Sequence, residues 1–91
     1  MISEAKRAVI LVVEDELLIR MNAVEMIEEA FEVVEAGNAD EAIVILEGRL
    51  DVAVVFTDIQ MPGSMDGLKL AAVVRLRWPP IRSWPPRARS K

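Results

Sequence analysis

The sequence has 91 residues, 53% of them hydrophobic, with 15 acidic and 11 basic residues for a net charge of −4. That length and composition fit one small folded domain and exclude a disordered chain. The absence of Cys and His excludes disulfides, thiol nucleophiles, imidazole bases and zinc sites, and it fits a reducing, cytoplasmic setting.

Met1 to Lys6 is a polar lead-in. Ala8 to Val13 is fully apolar and mostly β-branched, which predicts a central strand. Six apolar residues are too few to span a membrane, and no signal-peptide cleavage pattern follows. The strand runs into Glu14-Asp15-Glu16. From Glu16 to Ala30, Leu17, Met21, Val24 and Ile27 recur at helical spacing, with Arg20, Glu25, Glu28 and Glu29 on the polar side. This predicts an amphipathic helix. Phe31 to Ala36 has mixed faces and reads as a strand near a sheet edge, ended by Gly37. Asn38 is placed to cap the next helix, with Glu41 three residues on to reach back. That helix should bury Ala42, Ile45 and Leu46 and stop at Gly48.

Val52 to Thr57 is a second unbroken apolar run, predicted to be a strand buried on both faces. It leads into Asp58-Ile59-Gln60-Met61-Pro62-Gly63, which cannot continue a strand. Asp66 is a plausible cap for a third helix over Leu68 to Leu76, and Trp78-Pro79-Pro80 forbids its continuation. The order βαβαβα implies a parallel sheet with right-handed crossovers. The expected organisation is a domain over residues 1–77 and an irregular, Pro-rich tail over 78–91. Charge divides the same way. Residues 1–74 hold 15 acidic against five basic residues, a net of −10, whereas residues 75–91 hold six basic residues and no acid.

In a parallel sheet the carboxyl ends of the first and third strands lie at one edge, where open α/β sheets bind ligands. Glu14, Asp15 and Asp58 then converge. Carboxylates this close raise one another's pKa unless a cation offsets them. An oxygen-only donor set favours Mg²⁺ or Mn²⁺. Such a pocket suits phosphoryl transfer, with a carboxylate as nucleophile. Taken singly, each acid reads equally as a helix cap or a solvated loop residue. The pattern is more specific: an acid pair after one apolar strand, then an acid after another, 43 residues beyond Asp15, then Met-Pro and Asp-Gly.

These residues carry a resemblance. Ile10-Leu11-Val12-Val13-Glu14-Asp15-Glu16, Val33-Val34-Glu35-Ala36, Asp58-Ile59-Gln60-Met61-Pro62 and Met65-Asp66-Gly67 resemble the receiver domain of bacterial two-component response regulators, the family of the chemotaxis regulator. The resemblance covers residues 8–77. It implies a doubly wound α/β sheet of flavodoxin-like type. It also implies that Asp58 is the phosphoacceptor for a histidine kinase or phosphotransfer protein. Glu14 and Asp15 match the acidic pair that holds Mg²⁺, and Gln60 matches the residue whose backbone carbonyl completes the metal site. The domain is a signalling module, not an enzyme, although it assists its own phosphotransfer.

The resemblance is incomplete. The family has five strands and five helices, and the sequence pattern here yields three of each. No residue matches the Ser/Thr of the fourth strand or the Lys of the fifth. The expectation is therefore a receiver truncated at its carboxyl end, with impaired transfer. Its third strand should be an exposed edge able to self-associate, and its tail resembles the product of a shifted reading frame. The alternative is a fragment that is never phosphorylated and acts only through protein contacts. A hydrolase of haloacid-dehalogenase type would need Asp-x-Asp after the first strand, where Glu14-Asp15-Glu16 stands. Neither membrane nor nucleic acid is expected as a partner.

Overall fold

The computed structural model describes residues 7–57 and 65–84. In chain order these form β1 (Val9–Val13), α1 (Leu17–Ile27), β2 (Glu32–Ala36), α2 (Ala39–Gly48), β3 (Val52–Thr57), α3 (Met65–Arg77) and β4 (Arg82–Trp84). All four strands are parallel, in the order β2-β1-β3-β4. The order reverses between β1 and β3, which makes their carboxyl ends the switch point of a doubly wound sheet.

Alternation along the strands sorts the apolar residues onto two faces. Leu11, Val13 and Val55 join Ala42 and Leu46 of α2 and Leu70 and Val74 of α3 in one buried cluster. Val12 and Phe56 lie on the opposite face, toward α1. β1 is buried along its whole length, as its sequence predicts. β3 is not buried on both faces. Val52, Val55 and Thr57 are buried, but Ala53 is exposed and Val54 and Phe56 are only half covered. A register shift explains part of this. Val9 pairs with Val52 while Ile10 pairs with Val54, leaving Ala53 extra. Such a bulge resets the alternation, so Val52 and Val55 reach the same cluster.

The helices differ in how well they are built in. At α2, Asn38 accepts from the Glu41 backbone N–H at 2.8 Å, as expected of a cap. Glu41 reaches back to the Gly37 N–H, at 2.6 Å. Ala42 and Leu46 are fully buried and Ile45 half-buried. At α1 no side-chain cap is made. Its C-cap, Glu28, is in the right-handed α region, and the Ile27 carbonyl accepts from both Ala30 and Phe31 at 3.1 Å. The predicted inward row fares poorly. Leu17 and Met21 are 56% and 54% exposed, Val24 and Ile27 are half-buried, and α1 buries no residue fully. Apolar residues occupy eight of its eleven positions, so the helical spacing did not single out one face. α3 begins at Met65, so Asp66 falls inside the helix instead of preceding it.

The expectation of an irregular segment from residue 78 is corrected over part of its length. Trp78 N–H donates to the Val74 carbonyl at 2.8 Å, and Ile81 N–H donates to the Trp78 carbonyl at 2.9 Å, so Pro79-Pro80 form a turn. Trp78 and Ile81 pack against the buried cluster, and Arg77 lies over the Trp78 ring at 4.4 Å. This returns the chain to the sheet, where Arg82, Ser83 and Trp84 pair with Val54, Val55 and Phe56. β3 is therefore not the exposed edge expected of it, and self-association through its edge is blocked over those residues. Residues 85–91 lie outside the described residues.

Candidate functional site

β1 and β3 end side by side, with Val13 paired to Thr57. On the other flank Val13 pairs with Ala36, the last residue of β2. Three strands thus deliver their following residues to one edge. After β1 come Glu14 and Asp15. Asp58 follows Thr57 in the sequence. Asp58 and Gln60 lie outside the described residues.

Glu14 is buried, with 8% exposure. Its backbone N–H donates to the Ala36 carbonyl at 3.1 Å, which extends the sheet pairing by one step. Its Oε2 accepts from the Glu16 backbone N–H at 3.0 Å. Asp15 and Glu16 are exposed. The adjacent acids are therefore unequal: Glu14 is fixed by backbone contacts, and Asp15 faces solvent. A single cation organises the loop. Arg20 Nη1 donates to the Glu14 carbonyl at 2.7 Å, and Arg20 Nε donates to Glu35 Oε1 at 3.1 Å. Its side chain is 19% exposed and ties the acidic loop to β2. Gly37 leaves room for this arrangement, since a Cβ there would meet Arg20 Nη1 at 3.3 Å and Glu41 Oε1 at 3.5 Å.

Sequence reasoning placed Arg20 on the polar side of α1 and assigned it no task. A lone helix arginine usually reads as solvated, and no spacing rule separates this one from that class. Its value lies in geometry: it holds the carbonyl of the first acid while pairing with Glu35 of β2.

Among the described residues no three acidic side chains converge on one point. Glu14 and Asp15 are the part of the acidic set that lies within them. Their chemistry fits a hard divalent cation, because carboxylate and carbonyl oxygens suit Mg²⁺ and the chain has neither Cys nor His. Beside Glu14 a cleft of about 540 Å³ opens between α1 and the β3–β4 half of the sheet, lined by Val12, Ile19, Met26, Phe56, Thr57 and Trp84 among others.

Comparison with known proteins agrees with this architecture. Residues 10–83 match the family model of the response regulator receiver domain. The chain is 38% identical over 76 residues to the hydrogenase transcriptional regulatory protein HoxA of Cupriavidus necator, a match spanning 84% of this chain and 15% of that protein. Among solved structures, it superposes on the response regulator TrrA of Thermotoga maritima in complex with Mg²⁺ and BeF, with a TM-score of 0.72 and 34% identity, covering 87% of this chain and 66% of that one. It also superposes on the Saccharomyces cerevisiae Ssk1 receiver domain co-crystallised with the histidine phosphotransfer protein Ypd1, with a TM-score of 0.64 and 22% identity, covering 80% of this chain and 50% of that one. The chain belongs to the response regulator receiver domain family. Its class is that of the signalling domains of two-component systems, and it spans about two thirds of the TrrA receiver and a small part of HoxA.

Proposed function

We propose that the chain accepts a phosphoryl group on Asp58 from the phosphohistidine of a sensor histidine kinase or a phosphotransfer protein. A carboxylate oxygen of Asp58 attacks phosphorus and forms an acyl phosphate. The P–N bond breaks, and its electron pair stays on the imidazole, which takes a proton. Glu14, Asp15, Asp58 and the backbone carbonyl of Gln60 are the residues that would hold Mg²⁺. When bound, the ion supplies positive charge against the acids and the phosphoryl oxygens. Arg20 keeps the Glu14 backbone in place, and the Oε2 contact with Glu16 N–H orients the Glu14 carboxylate.

The observation that supports this most is the pairing of Val13 with Thr57. It brings the strand ending in the acid pair beside the strand whose next residue is Asp58. The resemblance to TrrA, itself solved with Mg²⁺ and BeF, supports the cofactor, and the Ssk1–Ypd1 complex supports the kind of donor. The reaction is a signalling step, and the lack of Cys is consistent with a cytoplasmic one. Trp84 stands at the carboxyl end of β4, on the same sheet edge as Thr57.

Incubation with radiolabelled acetyl phosphate and Mg²⁺ tests the assignment. The expected result is a label that is lost in Asp58→Asn and released by hydroxylamine. An acid-stable label, or one retained in Asp58→Asn, would contradict it. The exposed apolar surface of α1 favours a second reading, a receiver used only for protein contacts. A chain that never gains phosphate but retains a co-purifying kinase would establish that one.

A further inference from the structure

The first acid of the site is held from three sides. Glu14 N–H donates to the Ala36 carbonyl at 3.1 Å, its Oε2 accepts from the Glu16 N–H at 3.0 Å, and its carbonyl accepts from Arg20 Nη1 at 2.7 Å. The first two holds have backbone partners. The third comes from a side chain that is itself fastened, because Arg20 Nε donates to Glu35 Oε1 at 3.1 Å. The planar fork of a guanidinium can bridge two acceptors at once in a fixed geometry, which a compact ammonium does not reproduce. Gly37 keeps room for this brace. Its backbone lies outside the left-handed region, so its torsions do not demand glycine, yet a Cβ there would stand 3.3 Å from Arg20 Nη1. A freely swinging side chain would yield to that contact. Arg20, bound through two of its nitrogens, yields only by loosening its hold on the Glu14 carbonyl.

We propose that Arg20 is a positioning residue that sets the choice of divalent cation at this site, favouring Mg²⁺ over Ca²⁺. The inference rests on the reading of Glu14, Asp15 and Asp58 as residues that hold the metal. Both ions take carboxylate oxygens, but Mg²⁺ demands near-ideal octahedral geometry, whereas Ca²⁺ accepts more ligands in a looser array. A first acid fixed at its backbone and at its carboxylate suits the more exacting ion. Arg20 acts through the Glu14 backbone, not by contact with the ion. Charge alone predicts the opposite sign. A guanidinium near a cation site repels the cation, so its removal would tighten the binding of both ions. Positioning predicts that removal weakens Mg²⁺ binding and leaves Ca²⁺ binding largely as it was.

Calorimetric titration of the 91-residue chain with MgCl₂ and, separately, with CaCl₂ tests this, with the urea midpoint in EDTA as the control for folding. Arg20→Ala and Arg20→Lys are both expected to lower Mg²⁺ affinity about tenfold, as loss of an outer partner of a ligand does. Ca²⁺ affinity should fall by less. Arg20→Lys keeps the charge and loses the fork. Gly37→Ala should weaken Mg²⁺ binding in the wild-type background and add nothing to Arg20→Ala, the non-additivity of residues in contact. The midpoint in EDTA should stay near wild type in Arg20→Lys and Gly37→Ala, because the Arg20–Glu35 pair is partly exposed and such pairs contribute little to stability. Tighter Mg²⁺ binding in Arg20→Ala, full Mg²⁺ affinity in Arg20→Lys, or equal losses for the two ions overturns the proposal. So does a lowered midpoint in all three variants, which would make the role of Arg20 structural only. A wild-type chain that binds no Mg²⁺ overturns the proposal together with the site reading beneath it. Unchanged selectivity in variants of a chain that does bind Mg²⁺ overturns this inference alone.

Discussion

The sheet has one finished face and one unfinished face. Under α2 and α3, Leu11, Leu46, Leu70 and Val74 are essentially inaccessible to solvent. α2 is capped at its start by Asn38 and Glu41. Under α1 the same sheet leaves Phe56 half-buried and Trp84 53% exposed, and α1 has no side-chain cap. Because β1 and β3 serve both faces, the contrast cannot come from the strands. It comes from having two helices on one side and one on the other. Stability within the chain therefore resides on the α2–α3 face, and the apolar surface of the α1 face is available for contacts with other molecules.

Substitutions can break or sharpen this contrast. The largest effect is expected at Leu46, where Leu46→Ala should cost about 2–5 kcal/mol and unfold a large fraction of so small a domain. Urea denaturation monitored by circular dichroism measures it. Next is the cap of the finished face. Asn38→Ala should cost about 1 kcal/mol, read as a lower urea midpoint at constant slope. The smallest effect is expected on the unfinished face. Leu18→Ala, measured at concentrations too low for association, should change stability by less than about 0.5 kcal/mol. A loss at Leu18 as large as that at Leu46 would show that the two faces are equally packed, and the contrast would fail.

Much of this fold is readable from the residues. The runs Val9–Val13 and Val52–Thr57 contain no charge and read as strands, and Gly37, Asn38 and Gly48 punctuate the elements between them. β4 escaped that logic. Arg82-Ser83-Trp84 lies between two Pro-Pro pairs, carries no apolar alternation, and is a strand because Trp78 and Ile81 anchor the preceding turn to the core. The openness around α1 was hidden for the opposite reason. With apolar residues at eight of eleven positions, any spacing rule finds an inward row. At the site, Glu14 and Asp15 were legible because carboxylates directly after a buried strand need a reason to be there. Arg20 was not, because its partners, a carbonyl six residues back and a carboxylate fifteen residues on, meet it only in three dimensions.

The register shift at Ala53 has a consequence for changes in chain length. β3 holds one residue more than its pairing with β1 requires. A gene that lost the codon for Ala53 would leave every other strand pair in place. Loss of Val54 or Val55 gives one and the same run, Val-Ala-Val-Phe-Thr, and the spare residue absorbs it: Ala53 moves opposite Ile10 while Phe56 and Thr57 keep their partners Val12 and Val13. A single spare residue thus lets this strand lose one residue while Thr57, the residue before Asp58, keeps its place beside Val13.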